Sequence, residues 1–447
     1  VGSLALRGGQ TRDARRELRA LYASGDWKLA LAALAGAVGK QPKLVVKLLG
    51  EAVDDGVLPN QLDAWLGFGG LAERMNQQVL VDRIVAQVVA RFPDDPRVAL
   101  LRAQLLRQSG RLDAAREALA GLQRDPALSP ELRWSLAGEY EALGDPAKAA
   151  ALLAQGPQDE SVYAQRADLL DKAGDKAGLG ALYDELKSGA TNPNPLRRLL
   201  LGQIAELLQR YDEALSWYAS VPGERLQGRI KLRRAAVLHA MGRIDAAFEA
   251  LRGLEADAAV AEAERRDGYQ MEAELRHKDK NVAGERDAFA RGLAAFPDSL
   301  DLLYARAIMW ERQDEIAKAE ADFRRILVID PSNVATLNAL GYTLADRTDR
   351  YREALELIDR ARVADPGNGA IIDSYGWVLY KLGRKREALD YLRRAYALQK
   401  DPDITSHLGL VLWELGERDE ARRHFDEARK LDPENRSLLR ALQETGA

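Results

Sequence analysis

Apolar residues recur along this chain three, four and seven positions apart, and glycines, prolines and short polar runs interrupt them at regular intervals. That spacing gives each of many short helices one sticky stripe and predicts an all-α chain. A longer period lies over the short one. Small residues stand at Gly69, Ala103, Ala137, Ala167, Gly202, Ala235, Ala273, Ala307, Gly341, Gly376 and Gly409, at spacings of 34, 34, 30, 35, 33, 38, 34, 34, 35 and 33. A recurrence near 34 predicts stacked helix pairs instead of one globular core, and points to a scaffold that binds other proteins.

From residue 300 onward four units overlay in register. Their first helices carry Ala307, Gly341, Gly376 and Gly409, and their second helices open with Ala319, Ala354, Ala388 and Ala421. Large apolar residues follow four positions later at Phe323, Ile358, Leu392 and Phe425, then Ile326, Ala361, Ala395 and Ala428. Small residues let the two backbones of a pair come close, while larger ones fill the space between pairs. Pro331, Pro366 and Pro433 close three of the units, because proline disfavours helical geometry in the residue before it. A Ser or Asn just beyond is placed to cap the next helix. Gly110, Gly144, Gly174, Gly242, Gly383 and Gly416 break the chain within units, where the residue past a helix end often needs positive φ.

With these residues the chain resembles the tetratricopeptide repeats; Leu408-Gly409, Gly416, Ala421, Phe425, Ala428 and Pro433 sit at that family's pattern positions. Units start near 62, 96, 130, 160, 195, 228, 266, 300, 334, 369 and 402, so the resemblance spans residues 62–435. It is regular in the last four units and degenerate in several earlier ones, where Glu285, for example, replaces the usual Ala. The resemblance implies an α-solenoid, a right-handed superhelix of about eleven helix-turn-helix repeats. It further implies a concave groove lined by positions 2, 5, 9 and 12 of each unit. Those positions bring Tyr304, Ile308 and Glu311, then Asn338 and Tyr342, then Asp373, Trp377 and Tyr380, then Ser406, Leu410 and Trp413 toward a protein ligand. The aromatic members serve equally well as packing between neighbouring units. The carboxylate clamp of some relatives needs Lys and Asn at several matched positions, and only Asn338 fits.

Residues 1–61 read as a helical lead-in, with helices over 10–23, 27–38 and 44–53, and residues 436–447 as a capping helix that seals the last unit. The first helix is basic, with Arg7, Arg12, Arg15, Arg16 and Arg19. Its arginines make either a solvated face or a docking patch for an acidic partner.

Composition narrows the function classes. With 47% hydrophobic and 30% charged residues the chain is expected to fold, and a net charge of −4 offers no broad basic field for nucleic acid. No stretch approaches eighteen uninterrupted apolar residues, so no transmembrane span is expected. The absence of cysteine removes disulfides, thiolate metal sites and a cysteine nucleophile. His239, His277, His407 and His424 form no zinc-type pair. Gly67-Phe68-Gly69-Gly70 lacks the flanks of a phosphate loop and reads as a loosened or kinked helix. The expectation is a non-enzymatic scaffold with no catalytic residue, no metal and no cofactor.

The repeat number, their order and the basic, alanine-rich lead-in are also similar to outer-membrane lipoprotein adaptors. Such adaptors bind a periplasmic carboxyl-terminal processing protease and deliver peptidoglycan hydrolases to it. That resemblance implies these protein partners and a periplasmic, outer-membrane-anchored location. The chain opens Val1-Gly2-Ser3 without Met, which suggests a trimmed or mature form; any signal peptide or lipidated cysteine would then lie upstream. The alternative is a structural organiser of an envelope secretion, pilus or polysaccharide-export complex, or a cytoplasmic scaffold.

Overall fold

Each repeat closes where two helices meet at a small residue. At Gly341 an added Cβ would lie 2.5 Å from Ile358 Cγ1 and 3.1 Å from the Ala354 carbonyl oxygen, and at Gly202 it would lie 2.4 Å from the Tyr218 ring. The partner helix therefore occupies the space that any larger side chain would need.

The computed structural model describes residue 6 and residues 10–447 apart from 76, 126 and 190; Arg7 and Val1-Gly2-Ser3 lie outside the described residues. Among the described residues there are 26 α-helices and no strand. The first five are α1 (Thr11–Ser24), α2 (Trp27–Ala37), α3 (Pro42–Asp54), α4 (Leu62–Arg74) and α5 (Gln78–Arg91). Next come α6 (Pro96–Gln108), α7 (Leu112–Ala120), α8 (Pro130–Ala142), α9 (Pro146–Ala154), α10 (Glu160–Lys172), α11 (Lys176–Ser188), α12 (Pro195–Leu207) and α13 (Tyr211–Ser220). They are followed by α14 (Gln227–Ala240), α15 (Ile244–Ala256), α16 (Glu262–Lys278), α17 (Val282–Ala295), α18 (Leu300–Arg312) and α19 (Ile316–Ile329). The regular end holds α20 (Val334–Arg347), α21 (Tyr351–Ala364), α22 (Gly369–Lys381), α23 (Lys385–Leu398), α24 (Pro402–Glu414), α25 (Arg418–Leu431) and α26 (Arg436–Thr445). Consecutive helices pair as antiparallel hairpins, and the architecture is the expected α-solenoid.

The chain divides into two compact units, one holding the residues up to Leu105 with Ala114–Leu132, the other Leu106–Asp113 with Arg133–Ala447. In the first unit Trp65 and Phe68 are wholly buried, and Tyr22 meets Phe68 edge-on at 5.8 Å. The glycines around Phe68 neither kink nor loosen α4, which runs unbroken through them. Gly67 faces Leu31 of α2 and Gly69 faces Ile84 of α5, so the missing side chains admit neighbouring helices. The lead-in arginines are largely neutralised within this unit. Arg15 makes a two-pronged bond to Glu51 at 2.8 and 2.9 Å, Arg19 pairs with Asp55, and Arg16 pairs with Asp13. A solvated, ion-paired face fits better than a docking patch.

In the second unit Ala319, Ala354, Ala388 and Ala421 are completely buried, as are Phe323, Ile358 and Leu392, with Phe425 1% exposed. Truncating such an aromatic to Ala typically costs about 3–5 kcal/mol. The caps follow the punctuation, with asparagine in the role: Asn333 accepts from the Thr336 N–H at 3.0 Å and Asn435 from the Leu438 N–H at 2.9 Å. Gly383 and Gly416 have φ of 81° and 93° at the turns, and Gln209, Lys280 and Asp314 hold the same left-handed conformation without being glycine. The long spacing before Ala273 arises because α16 has 17 residues.

The close approach predicts opposite outcomes for two glycines. Gly341→Ala is expected to lose about 1–2 kcal/mol, because overpacking against Ile358 and the Ala354 backbone outweighs the helix-propensity gain. Gly69→Ala, whose Cβ would meet Ile84 at 3.4 Å, an ordinary contact, is expected to be neutral or stabilising. Urea denaturation of both variants checks this; equal losses would contradict it.

Candidate functional site

The first helices of the units from 195 to 334 present a polar trough. Between α12, α14 and α16 a cavity of about 340 Å³ is lined by Gln203, Arg229, Leu232 and Arg233 on one side and by Asp267, Gln270, Met271 and Glu274 on the other. Next to it a cavity of about 370 Å³ lies between α16, α18 and the start of α20. Gln270, Asp301 and Tyr304 line it with Asn333 and Thr336, over a floor that includes Leu300 and Ile326. Gln270 borders both cavities, so they form one trough. The helical period explains the choice of residues. Arg229, Asp267 and Asp301 hold position 2 of their units, Leu232, Gln270 and Tyr304 position 5, and Gln203 and Glu274 position 9. Residues three and four apart share a helix face, and here that face is not covered by another helix.

Several of these groups are held in place. Glu206 receives the Arg233 guanidinium and the Tyr218 hydroxyl, the latter at 2.6 Å, which fixes Arg233 at the trough wall. Gln270 donates one amide N–H to Glu274 at 3.0 Å and keeps a second N–H and its carbonyl oxygen. Burial holds the Asp267 carboxyl above its usual range; Arg266 opposes this and Asp301 reinforces it.

Behind the trough wall α15, α16 and α17 enclose an acidic pair. Glu255 and Glu272 are 2% and 1% exposed, and Arg291 bridges them with 2.7 Å bonds to each. Burial, and then the hydrogen bond to Glu272, push the Glu255 carboxyl up to about 8.

The groove residues anticipated in the last four units are distributed unevenly. Tyr304 lines an open cavity, with its ring edge-on to Phe323 at 5.7 Å. Glu311 is half-buried, and burial raises its carboxyl. The Asn338 side-chain oxygen is buried without a partner. From Tyr342 onward the inner face is filled by its own side chains. Asp373 and Trp377 are 5% and 2% exposed, and Ser406 is fully buried with its hydroxyl donating to the Pro402 carbonyl at 2.6 Å. His407 Nδ1 lies 3.0 Å from the Asp373 carboxylate, its Nε2 lies 3.3 Å from the Tyr342 hydroxyl, and Trp377 stacks on the imidazole at 4.1 Å. Burial disfavours a charged imidazole here, but Asp373 outweighs it and holds His407 above its usual value. Trp377 and Arg440 of α26 both donate to Asp346, at 3.2 and 2.7 Å. Tyr380 stacks on Trp377 at 5.0 Å and donates to Glu414, while Trp413 is flanked by Arg418 and Arg422. Asp373, Trp377 and Ser406 therefore serve packing in this structure instead of facing a groove. Leu410 is likewise buried, whereas Ile308 is 37% exposed.

The open trough was missed by a reading centred on the most regular repeats. Extending positions 2 and 5 into the earlier units points to Arg229, Asp267 and Gln270, and position 2 of the unit at 300 points to Asp301.

The tetratricopeptide-repeat profiles match residues 83–130, 100–161, 286–334, 338–403 and 402–435, together just over half of the chain. This chain belongs to the tetratricopeptide-repeat family. As a repeat protein of this kind it is a scaffold suited to protein–protein interaction. It is 38% identical over 213 residues to the TPR repeat-containing protein PA4667 of Pseudomonas aeruginosa, covering 47% of this chain and 35% of that one. It is 24% identical over 139 residues to the type IV pilus assembly protein PilF of the same organism, covering 30% of this chain and 55% of that one. The chain thus spans about a third and about half of the length of these relatives. A solved tetratricopeptide-repeat protein from Parabacteroides merdae aligns with TM-score 0.43 at 13% identity, over 59% of this chain and 99% of that one. Among the described residues no helix is long and apolar enough to cross a membrane.

The acidic pair predicts a pH dependence. The unfolded Glu255 titrates near 4.5 and the folded one at about 8, so its stabilising contribution is complete below the lower value and fades as pH rises to the upper one. Glu255→Gln, which keeps a donor toward Glu272, is expected to gain roughly a few degrees in melting temperature relative to the parent between pH 5 and pH 8.5. Parallel pH dependences for the two proteins would contradict the raised Glu255 carboxyl.

Proposed function

We propose that this protein holds an extended polypeptide segment in the trough across α12 to α20 and acts by binding, as an adaptor. The observation that carries the reading is the unfilled row of polar side chains at positions 2, 5 and 9, against the self-filled inner face further on. Gln203 and Gln270 each offer a donor and an acceptor side by side, the pattern a peptide unit needs, and an extended segment presents such units without competing helical bonds.

The partner we favour is a periplasmic carboxyl-terminal processing protease, with peptidoglycan hydrolases as the polypeptides delivered to it and an outer-membrane lipid anchor holding the assembly in place. The number and order of the repeats and the basic lead-in support this reading. Its mechanism is proximity: tethering protease and substrate to one scaffold raises their effective concentration toward the millimolar range, roughly, without new chemistry. A second reading, an organiser of a pilus or export complex, is supported by the likeness to PilF over 139 residues.

Photo-crosslinkers placed at Met271 and Glu274 of the full-length protein in its native envelope distinguish them. Recovery of a serine protease with hydrolases supports delivery, whereas recovery of pilus or export subunits alone supports the second reading. Pairing Gln203→Ala with Arg229→Ala is expected to reduce capture by about fivefold or more, with the melting temperature unchanged because neither side chain is buried. Unaltered capture would place binding outside the trough.

A further inference from the structure

The larger cavity of the trough has walls and acceptors of a particular kind. Leu300, Ala305 and Ile326 give it apolar surface and the Tyr304 ring gives it a flat side. Asp301 is its one charged group, and a carboxylate only accepts. Asp301 makes no ion pair, and the cap of α18 is supplied by Ser299, so this carboxylate is not consumed by the helix end. Gln270 spends one amide N–H on Glu274 and keeps its carbonyl oxygen and its second N–H. Asn333 is committed to the Thr336 backbone N–H and to Asp330.

Thr336 itself supplies the independent sign of a ligand. Thr336 borders the cavity, it is 1% exposed, and its buried hydroxyl has no hydrogen-bond partner among the described residues. A buried hydroxyl without a partner is costly, and a donor from a bound molecule removes that cost. Asp267 stands close enough to Asp301 for the two carboxylates to repel, with Arg266 the opposing charge. An anion entering here would meet no cation among the lining residues, and a wholly apolar side chain would leave the Thr336 and Gln270 oxygens unpaired.

We propose that this cavity receives a lysine or arginine side chain of the polypeptide held in the trough, its aliphatic stem along Leu300, Ala305 and Tyr304 and its charged head at Asp301, Gln270 and Thr336. The assignment rests on the trough-binding reading and adds the chemistry required at one position of the bound segment. An ammonium or guanidinium group carries several donors and a positive charge, which matches a lining whose one charged side chain is the Asp301 carboxylate.

The test uses fluorescein-labelled nonapeptide pools, random except for a central lysine, arginine, norleucine, citrulline or glutamate, measured by anisotropy against the parent chain, Asp301→Asn and Thr336→Val. Lysine and arginine pools are expected to bind at least about fivefold tighter than norleucine and glutamate pools, and Asp301→Asn is expected to erase the difference. Thr336→Val is expected to weaken the cationic pools while leaving thermal stability equal or higher, which a purely structural hydroxyl would not do. Saturation-transfer NMR with N-acetyl-lysine-N-methylamide, and its norleucine counterpart, probes the cavity alone. If all pools bind alike, the cation assignment falls and the trough reading stands. If no pool binds but the lysine probe makes contact that Asp301→Asn abolishes, the cavity assignment stands and the trough reading falls. Silence in both measurements overturns both.

Discussion

The fold depends on how closely two helices approach at one small residue in each repeat. Where Gly341 meets Ile358 and the Ala354 carbonyl, or Gly202 meets Tyr218, no side chain fits between the backbones. The bulk needed to stabilise the stack must then come from elsewhere, from residues such as Phe323, Ile358, Leu392 and Phe425. With one stripe of each first helix committed to its partner and another to the neighbouring hairpin, a third stripe is left facing inward. Positions 2, 5 and 9 occupy that stripe. What the protein binds is therefore decided by residues that the stacking does not require to be apolar.

That inward stripe is treated in two ways along the chain. In the units from 334 onward it is consumed internally, by the His407–Asp373 pair, the stack of Tyr380 and Trp377 on His407, and the Asp346 carboxylate that receives both Trp377 and Arg440. The final helix, α26, adds Leu438 and Ala441 to the core as well as Arg440 to this network. Between 195 and 334 the imidazole of His239 pairs with Asp279 and Phe248, and these three are not among the residues lining the cavities, which are mostly polar. One inner face is occupied by its own side chains, and the other borders open cavities.

The degenerate units also explain their own irregularities. Glu285, atypical for its position, is buried and pairs with Arg312 of the next hairpin. Glu255 with Glu272 is bridged by Arg291, and in the regular unit that starts at 300 Asp322 is bound by Arg306 through two bonds at 2.8 and 2.7 Å. Buried ion pairs of this sort are weak sources of stability, since desolvation offsets much of the attraction. Each joins particular helices to one another, so a repeat set in the wrong place would strand a buried charge.

The helices, their hairpin pairing, the asparagine caps and the glycine turns were all legible in the residues, because each depends on interactions within about a dozen positions and repeats along the chain. Even so, Gln209, Lys280 and Asp314 adopt the left-handed turn without glycine, since the turn is imposed by the two packed helices it joins. The inward-facing positions were legible as a register, yet not as open or closed. Whether Trp377 faces a ligand or is covered depends on Asp346, His407 and Arg440, which belong to other repeats, Arg440 lying 94 positions from its partner. Local periodicity carries no information about such a contact. Only the stacking of hairpins brings those groups together, and it leaves Gln270, Asp301 and Thr336 around an unfilled cavity.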